Sequence, residues 1–224
     1  DYDMVQIINR EIMKNGVDLI LKDSVQAIGS DEVTLASGRT VKAQAVVMAI
    51  GVSPENALAK QAGLELGVAG SIKVNHHYQT SNPHIYAVGD AIETTCFFTG
   101  QKTQLTLAGP AQRQARAAAD HVYGRTYLNT GVIGASSVKM FGLNSANTGL
   151  NEKQCQARGI AYDFAYIIPK DKVSIMPGAE NLFFKLIFAV PSGKILGAQA
   201  VGRGNVDKRI DVIATAIMLN ANLE

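Results

Sequence analysis

Residues 72–90 read IKVNHHYQTSNPHIYAVGD, and this stretch decides the fold more than any other in the chain. Its polar part ends in a turn signal at residues 80–83, because the proline fixes its own φ and pushes the preceding residue out of the helical region. The apolar residues 85–88 predict a short strand that stops at Gly89 and Asp90. Glycine permits close approach of a ligand, and an aspartate at the carboxyl end of a buried strand can accept hydrogen bonds from ligand hydroxyls. Taken alone, these two residues are better interpreted as a turn that caps an ordinary strand.

The residues before this stretch show one helical pattern and several strand patterns. Apolar residues at helical spacing predict a helix over residues 5–15, ended by a glycine C-cap. Strand patterns follow at residues 17–21 and in a hairpin at residues 33–41, which contains a glycine turn. The continuous apolar run at residues 45–50 is typical of a strand buried on both faces of a sheet, and it ends at Gly51.

A second helical pattern follows the opening stretch. Residues 104–110 read QLTLAGP and lead into an alanine-rich segment that predicts a helix over residues 111–123. A proline suits the first turn of such a helix. The free N–H groups and the positive dipole end at a helix start favour nearby negative charge. Three arginines on and after this helix, at positions 113, 116 and 125, are interpreted as a solvated face rather than as ligand contacts.

The last hundred residues predict an α+β unit. Strands are predicted at residues 137–141, 162–168, 182–190 and 194–200, the last two joined by a hairpin turn, and helices at residues 151–158 and 206–219. The strand at 183–188 and the helix face formed by Ile210, Ile213, Ile217 and Leu219 are rich in large apolar groups. We expect residues 128–224 to self-associate through these faces, with packing of the two faces against each other within one chain as the alternative.

Composition excludes several classes of protein. A net charge of +2 over 224 residues argues against a polyanionic partner, and no basic run is interleaved with aromatic residues. No apolar run approaches the roughly 18 residues that span a membrane. We therefore predict no nucleic-acid partner and no membrane partner.

The two cysteines and four histidines predict no metal site. Cys96 and Cys155 form neither a CxxC redox motif nor a zinc pattern, so both are interpreted as structural thiols in a reducing cytoplasm. The histidines lack metal-ligand spacing and are interpreted as surface residues.

Taken together, three segments resemble the FAD-dependent pyridine nucleotide-disulfide oxidoreductases. The pattern T-x-x-x-x-I-Y-A-x-G-D at residues 80–90 resembles their second flavin-contacting motif. The segment AIGVSP at residues 49–54 resembles the segment that closes their nicotinamide-nucleotide domain, although alone it could be a strand followed by a helix that Pro54 begins. Residues 193–214 are similar to their dimerisation domain.

This resemblance implies an α/β fold with a partial, Rossmann-like, three-layer region for FAD and NAD(P), followed by an α+β dimerisation domain. The expected domains are the C-terminal half of an NAD(P)H-binding domain at residues 1–68, the C-terminal segment of an FAD-binding domain at residues 69–125, and a truncated dimerisation domain at residues 126–224. The implied partner is a second copy of the same chain.

The resemblance also assigns roles to six residues. Gly51 would allow close approach of NAD(P)H, and Gly89 with Asp90 would contact the ribityl chain of FAD. Relatives place a Leu-Ala pair at a helix start against the isoalloxazine ring, where the negative charge of a reduced flavin develops. The matching residues here are Leu107, Ala108 and Gly109.

Three features of such enzymes are missing from the sequence. It has no Gly-rich loop for the FAD pyrophosphate, no second such loop for NAD(P)H, and no redox cysteine that follows the first loop. We therefore expect the chain to be the C-terminal part of a larger cytoplasmic flavoprotein that passes hydride from NAD(P)H through FAD to a redox cysteine and a disulfide, thiol or oxygen-type acceptor. No catalytic residue is assigned within the chain. The alternative is a non-catalytic dimerisation or binding module.

The stretch from Gly100 to Pro110 is similar to that of the subfamily of CoA-disulfide reductases and NADH oxidases. One departure concerns the loop at residues 175–178, where many relatives have Tyr-Tyr-Pro-Gly and this chain has Ile-Met-Pro-Gly. A tyrosine there can donate a hydrogen bond to a substrate thiolate, whereas Met176 cannot. The electron acceptor therefore stays open.

Overall fold

The computed structural model describes residues 1–125 and 131–224. The described helices are α1 (Tyr2–Lys14), α2 (Ala57–Gln61), α3 (Ala108–Val122), α4 (Glu152–Ala157) and α5 (Val206–Met218). The described strands are β1 (Val25–Ile28), β2 (Glu32–Leu35), β3 (Thr40–Lys42), β4 (Thr94–Thr95), β5 (Lys102–Thr103), β6 (Ala135–Met140), β7 (Leu143–Gly149), β8 (Tyr162–Ile167), β9 (Leu182–Ala189) and β10 (Ile195–Gly202). The expected start of the dimerisation domain at residue 126 and the start of the segment expected to self-associate at residue 128 lie outside the described residues.

A five-stranded antiparallel sheet with the order β6-β7-β10-β9-β8 forms the C-terminal half. Its central strand β10 is buried on both faces, since successive side chains of a strand point to opposite sides. On one face, α5 packs Val206 and Ile210 against Ala198 and Ala200. The opposite face packs against α1 and α4, so the sheet lies between two helical layers.

The apolar faces expected to mediate self-association are largely internal. On α5, Ile210 and Ile217 are buried. Along β9, Phe183 packs against the cluster that includes α1, whereas Phe184 packs against the cluster that includes α5. Most of these residues therefore pack within one chain, as in the alternative interpretation, because the two helical layers cover both sides of the sheet, whereas Leu219 is 76% exposed.

The middle of the chain has its own small core. It joins Ile72, Tyr78 and Ile92 to Ala117 and Ala118 of α3. Gly89–Ala91 form a single 3-10 turn immediately before Ile92, which is 1% exposed. Burial of Ile92 against α3 therefore holds this turn beside the helix.

Three strands expected from the sequence do not form as such. Residues 17–21 are not extended into a strand, and the strand begins instead at Val25. Residues 45–50 pair with no other strand of the described chain, and Val47 and Ile50 are 90% and 84% exposed. A strand of this kind needs a hydrogen-bonded neighbour on each side, and its apolar composition cannot supply one. Residues 85–88 contribute only a single bridge, between Tyr86 and Gln79.

Other elements follow the predicted pattern. The helices α1, α3, α4 and α5 and the hairpins β2–β3 and β9–β10 lie where their periodicity and turn residues indicated. Strand β7 has no corresponding prediction, because its sequence LNSANTG is poor in β-branched and aromatic residues. Its place between β6 and β10 makes it a strand. In the described part of the chain, no helix is long and apolar enough to cross a membrane.

Candidate functional site

A cleft of about 1080 Å³ lies between the middle of the chain and the C-terminal sheet unit. Its wall is formed by the start of α3, the β4–β5 hairpin and residues 131–135, together with side chains of α5. The cleft therefore joins elements that are more than a hundred residues apart in the sequence.

The start of α3 contributes Leu107, Ala108 and Gly109 to this wall, together with Pro110. Leu107 is the extended N-cap residue, with φ −136° and ψ 136°, and its side chain makes no capping hydrogen bond. Among the described residues, no acceptor is bonded to the amide groups of Ala108 and Gly109. Unsatisfied N–H groups at a helix start carry partial positive charge and bind anions or electron-rich oxygens. The wall thus presents two free donors.

The turn at Gly89 and Asp90 lies beside this helix start rather than in the cleft wall. Gly89 has φ +83°, a conformation that favours glycine, and a Cβ at this position would lie 3.8 Å from the Cβ of Ala111. The side chain of Asp90 is exposed and available as an acceptor. The structure therefore brings five of the six sequence-predicted residues to one end of α3.

The sixth residue, Gly51, is not part of this group. It has φ +99° within the exposed segment after residues 45–50, and a Cβ there would meet no atom within 4 Å. Its proposed contact with NAD(P)H stays a prediction.

Gln114 lines the cleft, although the sequence analysis did not single it out. Its side chain is 3% exposed, lines the cleft, and accepts a hydrogen bond at 2.7 Å from the Gly89 amide to its Oε1. Gln114 lies three and four positions before Ala117 and Ala118, so it belongs to the buried face of α3. A polar residue on that buried face is the sequence signal that could have identified it.

The hairpin side of the cleft carries balanced charge. Glu93 is 6% exposed, accepts a hydrogen bond at 3.0 Å from the amide of Val68, and lies 3.7 Å from the Nζ of Lys102. Arg113 of α3 is exposed and also lines the cleft. It forms no ion pair with any of the described residues.

The two cysteines differ in their surroundings, and both are free thiols. Cys96 is half-buried and lines the cleft. Burial opposes ionisation of Cys96, but hydrogen bonds from the Thr99 side chain and from the amides of Phe98 and Thr99 lower its pKa overall. Burial raises the pKa of Cys155, which packs in the core beside α4 as a structural thiol.

Three of the histidines cluster at the other end of α3. The ring of His77 stacks on that of His121 with 4.1 Å between the centroids, and His121 Nδ1 lies 2.7 Å from the hydroxyl of Tyr86. Burial, followed by the neighbouring His76 and His121, lowers the pKa of His77. Within the described residues, the one group with metal-ligand spacing is Asp1, Asp3 and Glu152, where Lys185 Nζ already supplies the positive charge.

Comparison with known proteins identifies two family models along the chain. The model described as pyridine nucleotide-disulphide oxidoreductase matches residues 1–115, and the model described as the dimerisation domain of that family matches residues 135–224. Together they extend over both halves of the sequence.

Curated relatives carry several activities. The chain is 31% identical to the coenzyme A disulfide reductase of Staphylococcus epidermidis over 225 residues, which is 100% of this chain and 51% of that protein. It is 32% identical to the NADH oxidase of Methanocaldococcus jannaschii, covering 100% of this chain and 50% of the relative. The chain thus spans about half the length of the curated relatives it matches.

Two solved structures superpose closely on this chain. Reduced Bacillus anthracis CoADR-RHD superposes with a TM-score of 0.96 at 45% identity, over 99% of this chain and 40% of that one. A NAD-dependent persulfide reductase from A. fulgidus superposes with a TM-score of 0.95 at 33% identity, over 99% of this chain and 42% of that one. The predicted α/β fold class is thereby confirmed.

Proposed function

Because the chain belongs to the pyridine nucleotide-disulphide oxidoreductase family, we propose that it forms the flavin-facing and dimerising part of a flavoprotein that oxidises NAD(P)H. The proposed domains are residues 1–68 for NAD(P)H, residues 69–125 for FAD and residues 126–224 for dimerisation. The proposed compartment is the cytoplasm, where the free thiols Cys96 and Cys155 stay reduced.

One observation carries the proposal: the Gly89-Asp90 turn packs beside the start of α3, where two free amide donors face a large cleft. The donors of Ala108 and Gly109 fit the electron-rich edge of a flavin ring, and the apolar side chain of Leu107 fits its face. The exposed carboxylate of Asp90 fits the hydroxyls of a ribityl chain. A cleft of about 1080 Å³ is large enough for the flavin portion of FAD.

Bound FAD would supply the two-electron carrier between NAD(P)H and the final acceptor. The residues of this chain would hold that group and favour its reduced, negatively charged form through the start of α3. Gly51 is the proposed point of approach for NAD(P)H. Met176, which is 53% exposed, has no proton to donate to a substrate thiolate, so the acceptor is proposed only as a disulfide, thiol or oxygen-type compound.

Equilibrium dialysis of the 224-residue chain against FAD tests this proposal. We expect weak binding that does not survive gel filtration, because the sequence contains no Gly-rich loop for the pyrophosphate. Asp90→Ala should weaken binding about tenfold, since it removes one charged acceptor that remains exposed to water. Asp90→Asn should lose less, because its amide oxygen still accepts. Equal affinity in all three proteins would contradict the ribityl role, and stoichiometric flavin after gel filtration would contradict the expected weakness.

A homodimer is proposed on a surface other than the one predicted from the sequence. The edge strand β8 and the residues after it expose large apolar groups, namely Phe164 (41%), Tyr166 (38%), Ile167 (52%), Ile168 (50%) and Ile175 (90%). Exposed apolar groups along a sheet edge favour an isologous contact with a second copy. The same surface favours the second candidate function, a dimerisation module without catalysis.

Sedimentation equilibrium at micromolar concentration tests the dimer. We expect the mass of a dimer, and Ile175→Lys should shift it toward the monomer because the lysine would place a charge in the interface. Val212→Lys, on the exposed face of α5, is the matched control. A monomer mass for the wild-type chain would exclude pairing through this patch alone.

A further inference from the structure

The side-chain amide of Gln114 has an acceptor, Oε1, and a donor, Nε2, and only the acceptor has a hydrogen-bond partner in the described chain. Its Oε1 accepts a hydrogen bond from the Gly89 amide at 2.7 Å. An amide nitrogen cannot accept that hydrogen bond, so the partner at Gly89 must be the oxygen and Nε2 must point elsewhere. Within residues 1–125 and 131–224, no acceptor is bonded to Nε2.

Gln114 is part of the cleft wall. The side chain is 3% exposed, and it lines the cleft together with Arg113 and the start of α3. No enclosed side-chain nitrogen or oxygen of the described chain lacks a partner, so Nε2 retains a small accessible area. Since the cleft is the opening that Gln114 lines, a donor in this position is available to whatever occupies the cleft.

We propose that Gln114 is both a positioning residue and a binding residue for the flavin, an inference that rests on the proposed function. Through Oε1 it fixes the Gly89-Asp90 turn against α3 and so sets the position of the Asp90 carboxylate. Through Nε2 it donates a hydrogen bond to an oxygen of the ligand, a ribityl hydroxyl or a ring carbonyl. The buried glutamine thereby joins the acceptor of the turn and the donors of the helix start into one binding surface.

The test compares two variants of Gln114 with a matched control in the full 224-residue chain. Gln114→Leu removes both the acceptor and the donor, whereas Gln114→Glu at about pH 8 keeps an acceptor for Gly89 and removes the donor. Gln112→Leu makes the same change at an exposed position of the same helix. Hydrogen exchange at the Gly89 amide reports positioning, and FAD titration up to millimolar concentration, followed by amide chemical shifts, reports binding.

In Gln114→Leu, we expect faster exchange at Gly89 and FAD affinity reduced by tenfold or more, since the variant loses two hydrogen-bonding functions. In Gln114→Glu, exchange at Gly89 should stay slow while FAD affinity falls about tenfold. Gln112→Leu should match the wild-type chain in both measurements. A purely structural role would change Gly89 exchange and affinity together. Titration with riboflavin, which carries no phosphate for the new carboxylate to repel, separates the lost donor from the added charge, and Gln114→Glu should weaken riboflavin binding as well. This comparison also decides the matter if Gln114→Leu fails to fold.

Two different outcomes separate failure of the proposed function from failure of the Gln114 inference. A wild-type chain that shows no FAD-dependent shifts overturns the proposed function and this inference with it. FAD binding that is equal in wild type, Gln114→Glu and Gln112→Leu overturns the donor role of Gln114 and leaves the proposed function intact.

Discussion

Replacing Lys185 with methionine should be one of the most destabilising single changes in this chain. The Nζ of Lys185 lies 2.8 Å from Asp3 Oδ2 and 3.6 Å from Asp1 Oδ2, and it forms an ion pair with Glu152. The lysine side chain is 1% exposed, and its Nζ lies 4.1 Å from the centre of the Phe164 ring. These carboxylates come from α1 and α4, so one ammonium group ties both helices to β9.

The loss of unfolding free energy in Lys185→Met depends on the carboxylates that remain after the ammonium group is removed. Methionine fills the volume of the aliphatic stem but removes the ammonium group that the carboxylates of Asp3 and Glu152 share. Breaking a buried ion pair costs about 3–5 kcal/mol, and we expect about 3 kcal/mol because water reaches Asp3 and Glu152, whose side chains are 39% and 25% exposed. Adding Asp3→Asn and Glu152→Gln should recover much of this loss, because removing all of the charges is less costly than isolating some of them.

Urea unfolding at neutral pH, followed by circular dichroism, measures the effect. Lys139→Met is the matched control, since Lys139 is an exposed residue of β6 in the same sheet and should change the free energy of unfolding by less than about 0.5 kcal/mol. A free energy of unfolding for Lys185→Met equal to that of Lys139→Met would refute the argument that this cluster stabilises the packing of α1 and α4.

The cluster should also shape the dependence of stability on pH. Burial opposes the charge on Lys185, but hydrogen bonds with Asp3 and Glu152 raise its pKa overall, above 10.5. Burial likewise opposes the charge on Asp3, while the hydrogen bond from Lys185 lowers the pKa of its carboxyl below 3.8. The lysine contribution is present below its unfolded pKa and is lost as pH rises through the folded one; the Asp3 contribution is present above its unfolded pKa and is lost as pH falls. The difference between wild type and Lys185→Met should therefore be largest between about pH 5 and pH 9 and shrink on both sides.

Other predictions concern backbone contacts. Gly197→Ala should destabilise the chain by about 3 kcal/mol, because its Cβ would lie 2.0 Å from the backbone oxygen of Leu150; an unchanged melting temperature would disprove this. Gly109→Ala is its control, since a Cβ there meets nothing within 4 Å, and it should leave stability unchanged or raise it by up to about 1 kcal/mol. Asn151→Ala should cost about 1 kcal/mol in urea unfolding, because Asn151 forms a capping box at the start of α4; Asn151→Asp should retain most of the stability.

Local sequence alone determined the elements whose signals are short-range. The helices α1 and α5 follow from apolar residues three and four positions apart, and α3 follows from an alanine-rich run of strong helix formers. The β9–β10 hairpin follows from two apolar strands around a Pro-Ser-Gly turn. The family was also readable from the sequence, because its motif around Gly89 and Asp90 is contiguous. Each of these signals lies within a few residues of the structure that it specifies.

Only the tertiary structure decided features that depend on distant partners. Residues 45–50 are as apolar as a central strand and yet form none, whereas the polar β7 is a strand because β6 and β10 lie on either side of it. The pairing of Lys185 with Asp3 spans 182 positions of sequence, and the cleft exists because α5 faces the start of α3. Hydrogen bonding between strands, charge pairing and cavity shape are properties of residues brought together by packing, so no local pattern contains them.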